Sequence, residues 1–69
     1  MRVQNGMVVF QGNEQQVWEN ILGRQINDID AHTLRSLGEA RVKELHDEGN
    51  EVHARLVAQS VADIPPLLH

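Results

Sequence analysis

Residues 28–64 read DIDAHTLRSLGEARVKELHDEGNEVHARLVAQSVADI, and the period of their apolar positions decides the fold. On a helical wheel Ala31, Leu34, Leu37, Gly38, Val42 and Leu45 gather into one arc, the pattern of an amphipathic helix with a covered stripe. Asp30 has the chemistry of an N-cap, and Ile29 and Leu34 have the spacing of a hydrophobic staple around it. Asp28 and Asp30 also complement the positive end of the helix dipole. Gly49 supplies the left-handed residue that ends so many helices. These signals predict a long helix over 30–48. Along its exposed side, Arg35 with Glu39 and Glu39 with Lys43 stand at i, i+4 and are expected to pair.

Asn50 follows Gly49 directly and has the chemistry to cap a last helix over 50–64. A connection that short makes the two helices lie side by side or at a sharp angle, an antiparallel helical hairpin. Glu51 sits in the first turn of the last helix, where a negative charge is favoured, and can reach Arg55 at i+4. Ala54, Val57, Ala58, Val61 and Ile64 form its main apolar face, while Val52 and Leu56 form a second, separate patch. A helix with two apolar faces is generally covered on both sides. A chain of 69 residues offers little to cover the second, which argues for self-association or a partner surface.

Two residues of the long helix stand out. Gly38 lies inside the apolar arc, where a glycine costs about 1 kcal/mol relative to alanine, a cost easiest to justify if another helix approaches closely there. Arg41 also falls inside the arc, between Leu37 and Leu34. Either it snorkels to the edge of the stripe and pairs with Glu48 or an acid of the other helix, or it is an interface anchor, since Arg and Trp are enriched among binding hot spots.

Before the hairpin, Arg2-Val3-Gln4, Asn5-Gly6 and Met7-Val8-Val9-Phe10 read as two short β segments about a tight turn, because Asn-Gly accepts the positive φ angles of a type I′ turn. A simpler version has one strand over 7–11 after an irregular start. A two-stranded ribbon is marginal alone in water, so this β element (1–11) is expected to lie on the helices or pair with a second copy. Gly12 breaks it. Asn13, with Gln16 three residues on, reads as a variant capping box opening a short helix over 13–23. Val17, Trp18, Ile21 and Leu22 share one face of that helix, and Gly23 ends it. Trp18 is the largest apolar body in the chain and is expected to anchor the core, with an exposed binding anchor as the alternative. At the far end Pro65 and Pro66 stop the last helix. Leu67 and Leu68 in the tail (65–69) are expected to pack on the helices or on a second subunit.

Composition narrows the function by exclusion. A single domain of 69 residues with no cysteine lacks disulfides and thiolate zinc sites, so self-association or docking is the favoured reinforcement of its small core. The absence of cysteine fits a reducing compartment. No stretch approaches the roughly 20 apolar residues of a membrane span, and the amino terminus has no basic region followed by an apolar run. A cytoplasmic location is expected. The net charge is −4, from six Lys and Arg against ten Asp and Glu, and the bases are scattered; that disfavours phosphate backbones as ligands. One Trp, one Phe and no Tyr make no stacking platform for unpaired bases.

Chemistry-bearing residues are sparse. His46-Asp47-Glu48 and Glu51-Val52-His53 flank the helix junction, yet their spacing matches neither a His-Glu-x-x-His helix nor an acidic calcium loop. A solvated turn is the ordinary explanation, and no metal or cofactor is expected. Ser36 and Ser60 have no nucleophile elbow or oxyanion loop around them, so no catalytic residue is assigned. A helix-turn-helix would place Gly49 at the turn, but the leading helix is too long and the second offers only Arg55 behind Glu51.

The sequence thus predicts a mainly α fold, with a short N-terminal β-strand or hairpin, one short helix and an antiparallel helical hairpin, assembled as a symmetric homodimer. The function expected by elimination is noncatalytic protein binding, by an inhibitor, anti-activator or adaptor that occupies a surface of a larger protein. Compact chains of this kind are frequent among accessory products of bacteriophages and other mobile elements, an analogy of size and composition. A small dimeric DNA-binding regulator is the second reading, and a structural or assembly component the third. Arg41, Trp18, Val52 and Leu56 are the candidate partner contacts. Leu34, Leu37, Gly38, Val52 and Leu56 are the candidates for self-association.

Overall fold

The computed structural model describes residues 1–66. Strands β1 (Arg2–Gln4) and β2 (Met7–Val9) precede the helices α1 (Glu14–Leu22), α2 (Ala31–Asp47) and α3 (Glu51–Ala62). The strands pair antiparallel, with Arg2 opposite Val9, Val3 opposite Val8 and Gln4 opposite Met7. Asn5 and Gly6 both take positive φ, 51° and 79°, as the two-residue turn demands. The hairpin does not stand alone. Its second strand docks on the segment entering α2: the Val8 N–H donates to the Ile29 carbonyl (3.0 Å) and the Ala31 N–H to the Gly6 carbonyl (2.8 Å). The hairpin thus lies on its own chain, held at the entry to α2.

Helix α1 starts differently from the capping box read in the sequence. Asn13 makes no side-chain cap bond. Glu14 does the work instead, its carboxylate accepting from the Gln11 N–H (2.6 Å) and from the Met1 ammonium (3.0 Å). The acid thus ties the segment before the helix, and the chain's amino terminus, to the first turn of α1. At the other end Gly23 is left-handed, and its N–H donates to the Glu19 carbonyl (2.8 Å). The connection to α2 is tied down by the polar side of α1. Gln15 Nε2 donates to the Ile26 carbonyl (2.7 Å), and the Ile26 N–H donates to Glu19 (3.1 Å). Those bonds press Ile26 into the core, where it is buried beside Ile29.

The caps of the hairpin helices follow the sequence. Asp30 accepts from the Thr33 N–H (2.9 Å) and hydroxyl (2.6 Å), and Asn50 accepts from the His53 N–H (3.4 Å). Gly49, at φ 80°, lets the Asn50 N–H return to the Leu45 carbonyl (2.8 Å) and closes α2. Helix α3 ends at Ala62 rather than at Ile64, because the residue before Pro65 is excluded from helical geometry. Ile64 is nevertheless buried, turned inward from the chain beyond the helix. The expectation for Leu67 and Leu68 lies outside the described residues.

Two apolar clusters result. Trp18, Ile26, Ile29, Ala31, Leu34 and Ile64 form the larger, with Val3, Val8, Phe10, Leu37 and Val61 packed on it. Leu45, Ala54 and Val57 form the smaller at the hairpin end, joined by Val42 and by Ile21 of α1. The close approach expected at Gly38 is realised within the chain. A Cβ there would overlap Val61 Cγ2 and stand 3.4 Å from the Trp18 ring, so α3 crosses α2 where a side chain is missing.

Candidate interaction surface

Most of the residues singled out in the sequence are enclosed by the chain itself. Trp18 is 4% exposed and lies against Gly38; it anchors the core, and the alternative of an exposed binding anchor is overturned. Leu34 and Gly38 are buried as well, and Leu37 is partly buried against the larger cluster. Their arc is covered by α1, α3 and the β hairpin of the same chain. Ala58, counted in the core face of α3, is exposed.

Arg41 has a structural task. Its Nε–H donates to the Ile21 carbonyl (3.1 Å) in the last turn of α1, and its guanidinium also meets Glu44 (3.3 Å), not Glu48. The side chain is 29% exposed. Lying inside an apolar arc, it gives its stem to the core and its charge to a helix end. Arg35 does the same in the other direction. Rather than pairing with Glu39, it reaches the Ile64 and Pro65 carbonyls (3.4 and 3.5 Å) just beyond α3. Neither α1 nor α3 has a basic residue in its last turn. Helix α2 supplies the missing cation to both, where carbonyl groups lack intrahelical partners and the helix dipole is negative. Sequence reading missed this because the pairs cross between elements.

What remains outward is one face of α3. Val52 is 73% and Leu56 57% exposed, the highest values among the large apolar residues described, one turn apart on the side away from Ala54 and Val57. Gln59, Ala62 and Asp63 continue that face. Val17 of α1, 46% exposed, stands across an open cleft lined also by Trp18, Ser60 and Asp63. Ser60 hydroxyl donates to the Leu56 carbonyl one turn back (3.2 Å). At the hairpin end His46 Nδ1 lies 3.0 Å from the Glu51 carboxylate, bridging the end of α2 to the start of α3. That contact draws Glu51 away from Arg55, with which it was expected to pair. Among the described residues no group of three His, Cys, Asp or Glu could hold a metal ion, and no helix is long and apolar enough to cross a membrane.

Two carboxyls titrate below their ordinary range. The Gln11 N–H, and then the Met1 ammonium, hold Glu14 down; the Thr33 hydroxyl and N–H do the same for Asp30. Both sit at helix starts, where they organise structure.

No family model, curated protein or solved structure matches the chain.

Proposed function

We propose that this chain is a noncatalytic protein-binding module, a small regulatory inhibitor, anti-activator or adaptor that occupies a surface of a larger protein through the outer face of α3. The observation that carries this reading is the exposure of Val52 and Leu56, 73% and 57%, on a helix whose other side buries Ala54 and Val57. Large apolar side chains adjacent on a rigid helix are the usual form of a helix-borne contact, read by a partner as anchors one turn apart.

The charge distribution favours a protein target over a nucleic acid. Of the six basic residues, Arg35 and Arg41 are engaged with backbone carbonyls inside the fold. The exposed remainder, Arg2, Arg24, Lys43 and Arg55, is distributed over four elements or connections rather than along one recognition helix.

The test compares tagged wild-type protein with Leu56→Asp in parallel pull-downs from lysate, with and without nuclease. A protein retained by the wild type, lost with Leu56→Asp and indifferent to nuclease supports the reading. Retention of the same proteins by both forms removes the α3 face from it. Nuclease-sensitive nucleic acid on the wild type would replace it with a dimeric DNA-binding regulator.

A further inference from the structure

The face of α3 that carries Val52 and Leu56 also carries two charges without an ion-pair partner among the described residues. Arg55 is exposed, and the acid one turn before it, Glu51, is drawn to His46 (3.0 Å). Asp63 is the C-cap of α3, where the helix dipole disfavours a carboxylate. Its backbone N–H closes the helix. Among the described residues its carboxylate has no ion-pair partner, Arg35 being directed to the Ile64 and Pro65 carbonyls and the Met1 ammonium to Glu14.

Arg55 and Asp63 are eight positions apart, about 12 Å along a helix at 1.5 Å per residue, and lie within one side of the wheel. A surface with a cation at one end and an anion at the other is complementary to itself when turned end for end. In an antiparallel pair of α3 helices, the register that sets Arg55 of one copy opposite Asp63 of the other fixes the remaining contacts. Leu56 then faces Ala62, a large side chain against a small one, and Gln59 faces its own copy at the dyad. Ala62 and Gln59 are both exposed in the single chain.

We infer that a second copy of this chain docks on α3, antiparallel across a twofold axis at Gln59, with two reciprocal Arg55–Asp63 ion pairs flanking the Leu56 and Ala62 contacts. The inference shares its face with the target-binding role proposed above, so self-association and target binding compete. One helix from each copy makes an interface smaller than the roughly 800 Å² per partner of a standard complex. The pairing is therefore a weak, concentration-dependent equilibrium rather than an obligate dimer.

Sedimentation velocity and equilibrium on the whole chain at low ionic strength, over a wide concentration range, test it. Wild type should show monomer–dimer exchange that weakens with added salt. Arg55→Asp or Asp63→Arg alone places like charges together at both symmetric contacts and should weaken the dimer at least about tenfold. The double variant, with the charges exchanged, should recover most of the wild-type association. Asp63→Arg also puts a cation at the end of α3, so its monomer should melt no lower than wild type, which separates lost pairing from lost folding. A strictly monomeric wild type, a dimer indifferent to either reversal, or single variants not rescued by the exchange would each overturn the inference. None of these results depends on capture of a target. Binding that Leu56→Asp abolishes, found together with a monomeric wild type, would leave the proposed function standing and remove only the self-pairing.

Discussion

Helices α2 and α3 lie side by side and are built on opposite logics. The apolar arc of α2 is closed over by α1, α3 and the β hairpin, and its two arginines reach the carboxyl ends of both other helices. Helix α3 is covered on one side only, and its other side presents Val52 and Leu56 to solvent. Substitutions in α2 should therefore register as stability, and substitutions on the outer face of α3 as association. The two helices cross at Gly38 and Val61, where the backbone of α2 is bare enough to admit α3.

The largest effect should come from the most enclosed side chain of α2. Leu34 is fully buried, and Leu34→Ala should cost about 2–5 kcal/mol. A domain of this size has only about 3–5 kcal/mol to lose, so the variant should be largely unfolded by circular dichroism at 25 °C. Gly38→Ala ranks next. Alanine is the better helix former by about 1 kcal/mol, yet its Cβ would overlap the stiff, branched Val61 side chain, and overpacking of this kind costs about 1–3 kcal/mol. A net loss in chemical denaturation is expected, and Gly38→Ala combined with Val61→Ala should recover part of it. A Gly38→Ala protein more stable than wild type would mean that the helices do not cross so closely.

Arg41→Met keeps the stem and removes the charge from the Ile21 carbonyl. A hydrogen bond from a charged group contributes about 1.5–3 kcal/mol, and partial exposure of this one places the loss near 1 kcal/mol, read as a lowered midpoint in urea. Arg41→Glu should lose more, having set an acid against a helix carboxyl end. Unchanged stability with lost target binding would return Arg41 to the role of an interface anchor.

Acid should erode the helix starts before neutral pH does. The folded-state values of Glu14 and Asp30 are lowered from the ordinary 4.5 and 3.8, so their contribution is present above those values and is lost as pH falls through the depressed ones. Thermal melts between neutral pH and pH 3 should show falling stability, with a shallower fall in Glu14→Gln and Asp30→Asn. Smallest of all is the effect of Leu56→Asp on folding. An exposed position away from caps and core usually changes stability by no more than about 0.5 kcal/mol. Helical signal and melting should match wild type while association and binding fail.

Local chemistry is what the residues determined by themselves. Asn5-Gly6 forces the turn, Asp30 and Asn50 cap, Gly23 and Gly49 terminate, and the spacing of Leu34, Leu45, Ala54 and Val57 selects the inner faces, because each of these effects acts over a few residues along the chain. The exposure of Val52 and Leu56 was legible for the same reason: they are out of phase with the covered face of their helix. Tertiary structure alone decided what the long side chains do. Arg35 and Arg41 reach carbonyls 29 and 20 positions away, Arg41 while keeping Glu44 on its own helix, and Glu51 meets His46 across the turn. A flexible charged side chain reaches several partners, and backbone carbonyls left open at a helix end compete with the i+4 acid only once folding has placed them. Ile26 belongs with these. It sits in a connection without periodicity and is buried because Gln15 and Glu19 hold its backbone. The closing of Leu34, Trp18 and Gly38 against their own chain has the same origin, since an apolar stripe shows that it will be covered, and only the packed elements show by what.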